Sequence, residues 1–419
     1  MNSKKLVISF GHIPREIGGK QHSGLSQVMW RLANEINKLN SHYLVTFVST
    51  DVHSPKSRIQ DTEVIGWNKR ILFKYSLNNP IFLCKYFWLA IELKLKYKFP
   101  FINTLAKFIF WGSILANLKD NVALVHIHGV NNFAILNHIV SLANYKIVVS
   151  IHGITGNDDT QPRKDIQYEL EKFMISSKNI SSVVFVTEAI RQSFFRLYGK
   201  PDYASKVILN GYDPSIFTIN DQLNDSNAVA KIHLVIIGGL TELKGQKRVL
   251  EALALLPASV RDNFVLTLIG VDKNNIMPEF NRFAKKNKIE LEFLGYQSPT
   301  NIAQILQNKD YLILASSSEG FGLVCLECIA CGIPVIIPEH LPLSKEPGVL
   351  NNINSVQIVD HTPKSIAGCL LMLNKSTDSK VKISKTIEHL TWPNIAENYI
   401  RFYDTVLAND AESLVDAFK

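Results

Sequence analysis

The chain has 419 residues, 46% of them hydrophobic and 20% charged, with a formal net charge of +8. That length allows two or three domains and a large core without staples, and the composition excludes disorder, a collagen-like repeat and a disulfide scaffold. The basic balance fits anionic partners such as phosphates or an anionic leaflet, and it equally fits general solubility.

Five cysteines, Cys84, Cys325, Cys328, Cys331 and Cys369, fit reduced thiols and a cytoplasmic address better than a secreted framework. The opening MNSKKLVISF lacks the length and cleavage site of a signal peptide. No window reaches about 18 uncharged apolar residues, so no transmembrane helix is expected.

In chain order, Leu6–Phe10 reads as a strand, and a loop with Gly18, Gly19, Ser23 and Gly24 follows. Leu25–Leu39 then carries apolar residues at helical spacing. Leu44–Ser49, Val122–Ile127, Lys146–Ile151 and Ser182–Val186 read as further strands, with helices over Asp165–Ser176 and Glu188–Tyr198. A polar stretch, Thr218–Ala230, reads as a linker. The alternation restarts with strands at Ile232–Gly238, Phe264–Gly270, Leu291–Gly295, Tyr311–Ser316 and Ile333–Ile337. Helices are expected over Lys244–Leu256 and Gly322–Cys331. Short buried strands alternating with helices make an α/β chain with two parallel sheets in series.

Between Trp67 and Lys119 the character changes. Lys69, Arg70, Lys74, Lys85, Lys94, Lys96, Lys98 and Lys107 interleave with Tyr75, Tyr86, Phe87, Trp88, Phe108, Trp111 and other aromatics, and Glu92 is the only acid. This pattern suits a segment lying on an anionic membrane. Core helices whose lysines snorkel outward would show it too. A nucleic-acid grip has the same composition, but no nucleic-acid motif accompanies it.

The chemistry gathers in the second half. The strand Ile232–Gly238 runs into Gly238, Gly239, Lys244 and Gly245 at the start of a helix. Glycines admit a ligand close to the backbone, and a helix start offers N–H groups and partial positive charge, so this turn suits a diphosphate. A second turn, EGFGLVCLE, places Glu319 and Glu327 eight positions apart. Glu319 can accept hydrogen bonds from sugar hydroxyls. Gly320, Phe321, Gly322 and Leu323 can present amides to phosphate oxygens. Glu327, about one and a half turns into the helix, can reach a ribose diol.

This run resembles the E-x7-E motif of retaining GT-B glycosyltransferases, glycosyltransferase family 4 in particular. Cys331–Ile337 is similar to the family's G-x-P-V strand, Asn210–Phe217 to its N-G-x-D-x-x-x-F element, Ser150–Gly153 to its T/S-x-H element, and Val125–His128 to its H-x-H strand. The resemblance covers most of the chain. It implies two Rossmann-like domains facing an interdomain cleft: residues 1–220 for the acceptor, 221–390 for the nucleotide sugar, and a helix in 391–419 crossing back to the first domain. It implies that Gly18 and Gly19 face the donor diphosphate and the acceptor, that His152 sits near the donor sugar, and that Lys244 stabilises the leaving diphosphate. Glu319 would hold sugar hydroxyls and Glu327 the ribose. No metal or cofactor is expected beyond the nucleotide sugar, since cations and helix starts do that work. The family's usual arginine in the first turn is Gly239 here; Lys247 and Arg248 are the nearby replacements, with Arg248 counted in the donor site.

The expected reaction is retaining transfer of a hexose to a saccharide acceptor, lipid-linked, in surface polysaccharide assembly (O-antigen, capsule or exopolysaccharide) at the inner membrane face. A non-catalytic sugar-nucleotide-binding scaffold, an epimerase or glycan phosphorylase on the same fold, and a nucleic-acid binder are the other readings. Cys325, Cys328 and Cys331 fan around a helix and read as packing residues. His126 and His128 lack an evident third metal ligand. Gly18-Gly19 is no G-x-G-x-x-G fingerprint, and Ser316–Ser318 carry no nucleophile elbow.

Overall fold

The computed structural model describes residues 4–19, 24–39, 41–52, 56–68, 70, 73, 79–118, 121–139, 145–154, 164–219, 231–350, 356–374, 376 and 378–408. Ser23 of the glycine loop, Lys69, Lys74, Tyr75 and Lys119 of the basic-aromatic segment, and residues 220–230 of the polar stretch lie outside them. The chain divides into two compact units, Met1–Leu209 with Trp392–Lys419, and Asn210–Thr391.

The first unit holds strands β1 (Lys5–Phe10), β2 (Tyr43–Ser49), β3 (Ser57–Ile59), β4 (Thr62–Gly66), β5 (Val122–His128), β6 (Lys146–Ile151), β7 (Ser182–Phe185) and β8 (Ala204–Val207). Their order in the sheet is β3-β4-β2-β1-β5-β6-β7-β8. All pairs are parallel except β3 with β4. From β1 the chain builds outward through β2, then returns to lay β5 against the other side of β1. The second unit repeats the plan with β9 (Ile232–Ile237), β10 (Phe264–Ile269), β11 (Glu290–Phe293), β12 (Tyr311–Ile313), β13 (Val335–Pro338) and β14 (Gln357–Val359). Its order is β11-β10-β9-β12-β13-β14, all parallel. The central strands are mostly apolar because helices cover both faces; Phe264–Ile269 is buried at every position, Thr267 included.

The helix Trp392–Ala408 belongs to the first unit although it follows the second in sequence. Trp392, Ile395, Ala396, Tyr399, Phe402, Tyr403 and Val406 form its buried face, at helical spacing. It packs on the helix Gly24–Lys38, and the Tyr43 hydroxyl donates to Asp404 at 2.9 Å.

Three details differ from the sequence reading. First, Asn210–Phe217 goes with the second unit, so the division falls before this element and not at 220. The Tyr212 amide donates to the Leu390 carbonyl at 2.9 Å, and Gln307 Nε2 donates to the Thr218 carbonyl at 3.1 Å; these bonds hold the element there. Second, the helix expected from Lys244 splits into a tight turn, Glu242–Lys244, and a helix, Gln246–Ala254. The break is Gly245, at φ +72°, where a Cβ would lie 2.0 Å from the Ala315 carbonyl oxygen. Third, the helix Phe101–Leu118 is long and apolar enough, by length and composition, to cross a membrane, and among the described residues it is the one such helix. It contains Lys107, which the uncharged-window rule excluded. Its Phe108, Phe110 and Trp111 are buried, and Trp111 meets Phe10 of β1 edge-on at 5.2 Å.

Candidate active site

In open α/β sheets ligands bind beyond the carboxyl ends of the strands, where the strand order reverses. In the second unit that point lies between β9 and β12. The two motif turns leave those two strands. The first runs from Gly238 to Lys244, and the second from Ala315 to Leu323. The site follows from topology before any side chain is considered.

Lys244 ends the first turn, which Thr241 caps by accepting the Lys244 amide at 3.3 Å. Its stem runs back over Gly238, 3.5 Å from where a Cβ would stand. Its Nζ donates to Glu319 Oε1 at 2.5 Å, and the Ser316 hydroxyl donates to the same oxygen at 2.7 Å. The sequence-predicted cation and carboxylate are therefore direct partners across the two turns. Ser316 is buried and orients Glu319, which explains a serine that had no nucleophilic context.

Gly322 precedes the helix Leu323–Ala330 in a left-handed conformation and leaves its start without a side-chain cap. An uncapped start keeps its partial positive charge available to an anion. The Phe321 side chain is buried, so only its backbone is placed for a ligand. Glu327 is half-buried on this helix. Cys325, Cys328 and Cys331 are buried packing residues. Burial raises all three thiols, Cys331 to about 12 with Glu327 adding, and both Glu319 and Glu327 push Cys325 up while Lys244 opposes them. That electrostatic neighbourhood gathers Lys244, Glu319 and Glu327 around one helix start.

The replacements for the missing arginine divide. Lys247 is exposed and pairs with Glu279 at 3.0 Å, away from the turn. Arg248 reaches over Gly245, and its Nη1 donates to the Ala315 carbonyl at 2.9 Å, one residue before Ser316. Gly239 itself has room: a Cβ there would meet only the Val271 carbonyl oxygen, at 3.7 Å. Sequence reading missed His340, just beyond β13, whose Nε2–H donates to the Ser317 carbonyl at 2.9 Å. Its position past a strand's carboxyl end is the one signal that marks it.

The first unit's reversal lies between β1 and β5. Gly18 and Gly19 follow β1 on a short turn, Arg15–Ile17. Their amides already donate within the loop, Gly18 to Arg15 O at 3.0 Å and Gly19 to Pro14 O at 2.9 Å. A Cβ on Gly19 would lie 1.8 Å from the Ile13 carbonyl oxygen, so close chain packing requires this glycine. At the ends of β5 and β6 three histidines cluster. His126 bonds the Tyr403 hydroxyl at 2.7 Å and the Ser150 hydroxyl at 2.8 Å, and His128 Nδ1 lies 3.0 Å from His152 Nε2. Burial pushes His126 down to about 3, with the His152 ring adding, and His152 to about 4; it also carries His128 well below the ordinary range. All three are neutral near pH 7.

Residues 221–346 match the family model for glycosyl transferases group 1. The match falls within the second unit and covers most of it. Among relatives, an uncharacterized glycosyltransferase of Methanocaldococcus jannaschii is 21% identical, over 68% of this chain and 75% of the relative. A D-inositol 3-phosphate glycosyltransferase of Jonesia denitrificans is 24% identical over 54% of this chain, which spans 57% of that relative's length. Among solved structures, sucrose-phosphate synthase from Thermosynechococcus elongatus superposes with a TM-score of 0.72 at 14% identity, over 97% of this chain and 100% of that one. Anabaena HepE in complex with UDP and glucose does so at 0.67 and 13%, over 96% and 100%. The fold is GT-B, and the chain is a nucleotide-sugar-dependent retaining glycosyltransferase.

Lys244→Ala is expected to lower donor turnover by roughly 10²–10³-fold, the usual effect of removing one preorganised charge donor. Nucleotide release from the cognate sugar nucleotide measures it. The histidine cluster sets an acid limit. The folded protein binds fewer protons at these rings than the unfolded chain does once pH falls below about 6.5. Stability is therefore full above that pH and declines as pH drops, continuing to about 4 for His152 and about 3 for His126. Denaturant titrations across that window should show a falling midpoint, least in a Tyr403→Phe, His126→Gln double variant.

Proposed function

We propose that this glycosyltransferase moves a hexose from a UDP-sugar to a lipid-linked saccharide during surface polysaccharide assembly, at the inner face of the membrane and without a metal ion. The acceptor hydroxyl attacks the anomeric carbon from the side on which the nucleotide diphosphate leaves; the bond from that carbon to the diphosphate oxygen breaks, and the departing phosphate takes the hydroxyl proton. Lys244 and the start of the helix Leu323–Ala330 receive the charge that develops on the leaving oxygen. A fixed ammonium and a helix start stabilise a dianion in the way a divalent cation does, which supports metal independence. In this reading Glu319 takes sugar hydroxyls and Glu327 the ribose, while His152 offers its ring to a sugar hydroxyl. The HepE complex supports UDP as the nucleotide, since that structure holds UDP and glucose on the same fold.

One observation carries the lipid-linked acceptor. The helices Pro80–Tyr97 and Phe101–Leu118 bury one face and leave another apolar face outward. Tyr86 stacks on Phe108 at 5.3 Å inside, and Lys107 lies over the Trp111 ring at 5.2 Å. Outside, Ile81 (83%), Trp88 (68%), Leu95 (77%) and Ile102 (79%) stay exposed. Ile81, Trp88 and Leu95 recur every seven residues, so they share one side of the helix. Lys85, Lys94, Lys96 and Lys98 stand exposed beside them. Aliphatic and indole groups flanked by lysines suit the headgroup layer of an anionic leaflet.

A second reading, sugar-nucleotide binding without turnover, is favoured by Gly239 alone. Two measurements test the proposal. In flotation with phosphatidylglycerol-containing vesicles at low salt, the protein is expected to float, and Trp88→Asp with Leu95→Asp to release it while donor turnover stays unchanged. Wild-type protein left at the bottom would remove the membrane claim. Titration of UDP-glucose, UDP-galactose and UDP-N-acetylglucosamine into wild type and Gly239→Arg identifies the donor. The added guanidinium is expected to tighten binding; turnover appearing only in that variant would favour the second reading.

A further inference from the structure

We propose that His128 is a positioning residue for His152: it occupies Nε2 of that ring and leaves Nδ1 as the atom offered to a sugar hydroxyl of the substrate. This rests on the proposed contact of His152 with substrate.

His126 and His128 stand two residues apart on β5, so both point to one face of the sheet. The register pairs His128 with Ser150, which places His152, two positions further along, on the same face. The two bonding patterns there differ in kind. His126 meets two hydroxyls, and each hydroxyl can donate or accept, so its tautomer is free to change. His128 and His152 meet each other, nitrogen to nitrogen, at 3.0 Å. Two neutral rings joined this way share one proton along the bond. Their outer nitrogens, His128 Nε2 and His152 Nδ1, are then of opposite kinds, one donor and one acceptor. Both are covered and have no hydrogen-bond partner among the described residues. Buried polar atoms of a native protein are almost always paired, so unpaired ones beside a strand-order reversal point to a ligand group. His128 is only 2% exposed, whereas His152 is half-buried as a residue and lies just past the end of β6. Of the two, His152 Nδ1 is the atom a hydroxyl can satisfy.

The test uses amides that mimic single ring positions. Asparagine places its amide near Nδ1, glutamine near Nε2. UDP release from the UDP-sugar that the titration identifies gives kcat and KM, and histidine ¹⁵N shifts report the ring states. His152→Asn should keep at least about 10-fold more turnover than His152→Gln. His128→Leu should lower kcat by about 10–100-fold with donor KM within about twofold, the mark of a misplaced group and not of lost binding. His128→Asn should recover most of that loss, and the His152 ¹⁵N shifts should move in His128→Leu. The opposite order of the His152 variants overturns the assignment of Nδ1. An inactive His152→Ala with a fully active His128→Leu removes the positioning role alone. A fully active His152→Ala removes the substrate contact on which the proposal stands.

Discussion

Strand-order reversal is the constraint on which the rest of this molecule depends. In each sheet the first strand in sequence, β1 or β9, becomes an inner strand, because the chain first builds to one side of it and later to the other. Successive right-handed crossovers then diverge at that point and leave a crevice which no helix fills. Most of the candidate site residues lie at or beside it. The glycine turn and histidines of the first unit follow β1, β5 and β6. Lys244, Glu319 and the helix start at Leu323 follow β9 and β12. A parallel sheet buried on both faces has almost no other place to keep charged groups.

The Lys244–Glu319 pair shows how such a crevice tolerates charge before a ligand arrives. A lone ammonium beside a helix start would repel the partial positive charge there. Glu319 cancels it, and Ser316 fixes Glu319 in turn. A diphosphate entering the site must compete with a carboxylate already in contact. Binding is then a change of partners, and a sugar that engages the displaced carboxylate makes that change more favourable than nucleotide alone. At the donor site proposed here, that exchange would favour the whole sugar nucleotide over its leaving group.

Local patterns announced most of the fold. Apolar runs marked the central strands to within three residues, since burial on both faces leaves few polar positions. The E-x7-E spacing placed Glu319 and Glu327 correctly on a loop and a helix, because both lie within one turn unit. Short edge strands such as Ser57–Ile59 and Gln357–Val359 carry too few apolar residues to stand out. Partnerships across the fold were not legible. Nothing at Lys247 foretold Glu279, nothing at His126 foretold Tyr403, 277 positions away, and the His128–His152 contact exists only once β5 lies beside β6. Gly245 was read as part of a helix because its conformation is imposed by Ala315, 70 positions later in the chain.

The helix Trp392–Ala408 has a consequence for the order in which the chain matures. It covers His126 and Tyr43 of the first sheet, yet it is made only after the whole second unit. The second unit is one continuous stretch, and its chain enters and leaves side by side, at the bridge between Tyr212 and Thr391. During synthesis, therefore, the later unit can reach its final packing while the earlier one still waits for its closing helix. Until then the ring of His126 lacks the Tyr403 hydroxyl, and an apolar strip beside the helix Gly24–Lys38 stays open to water. Of the two units, the one whose chain begins earlier is the one whose packing needs the later segment.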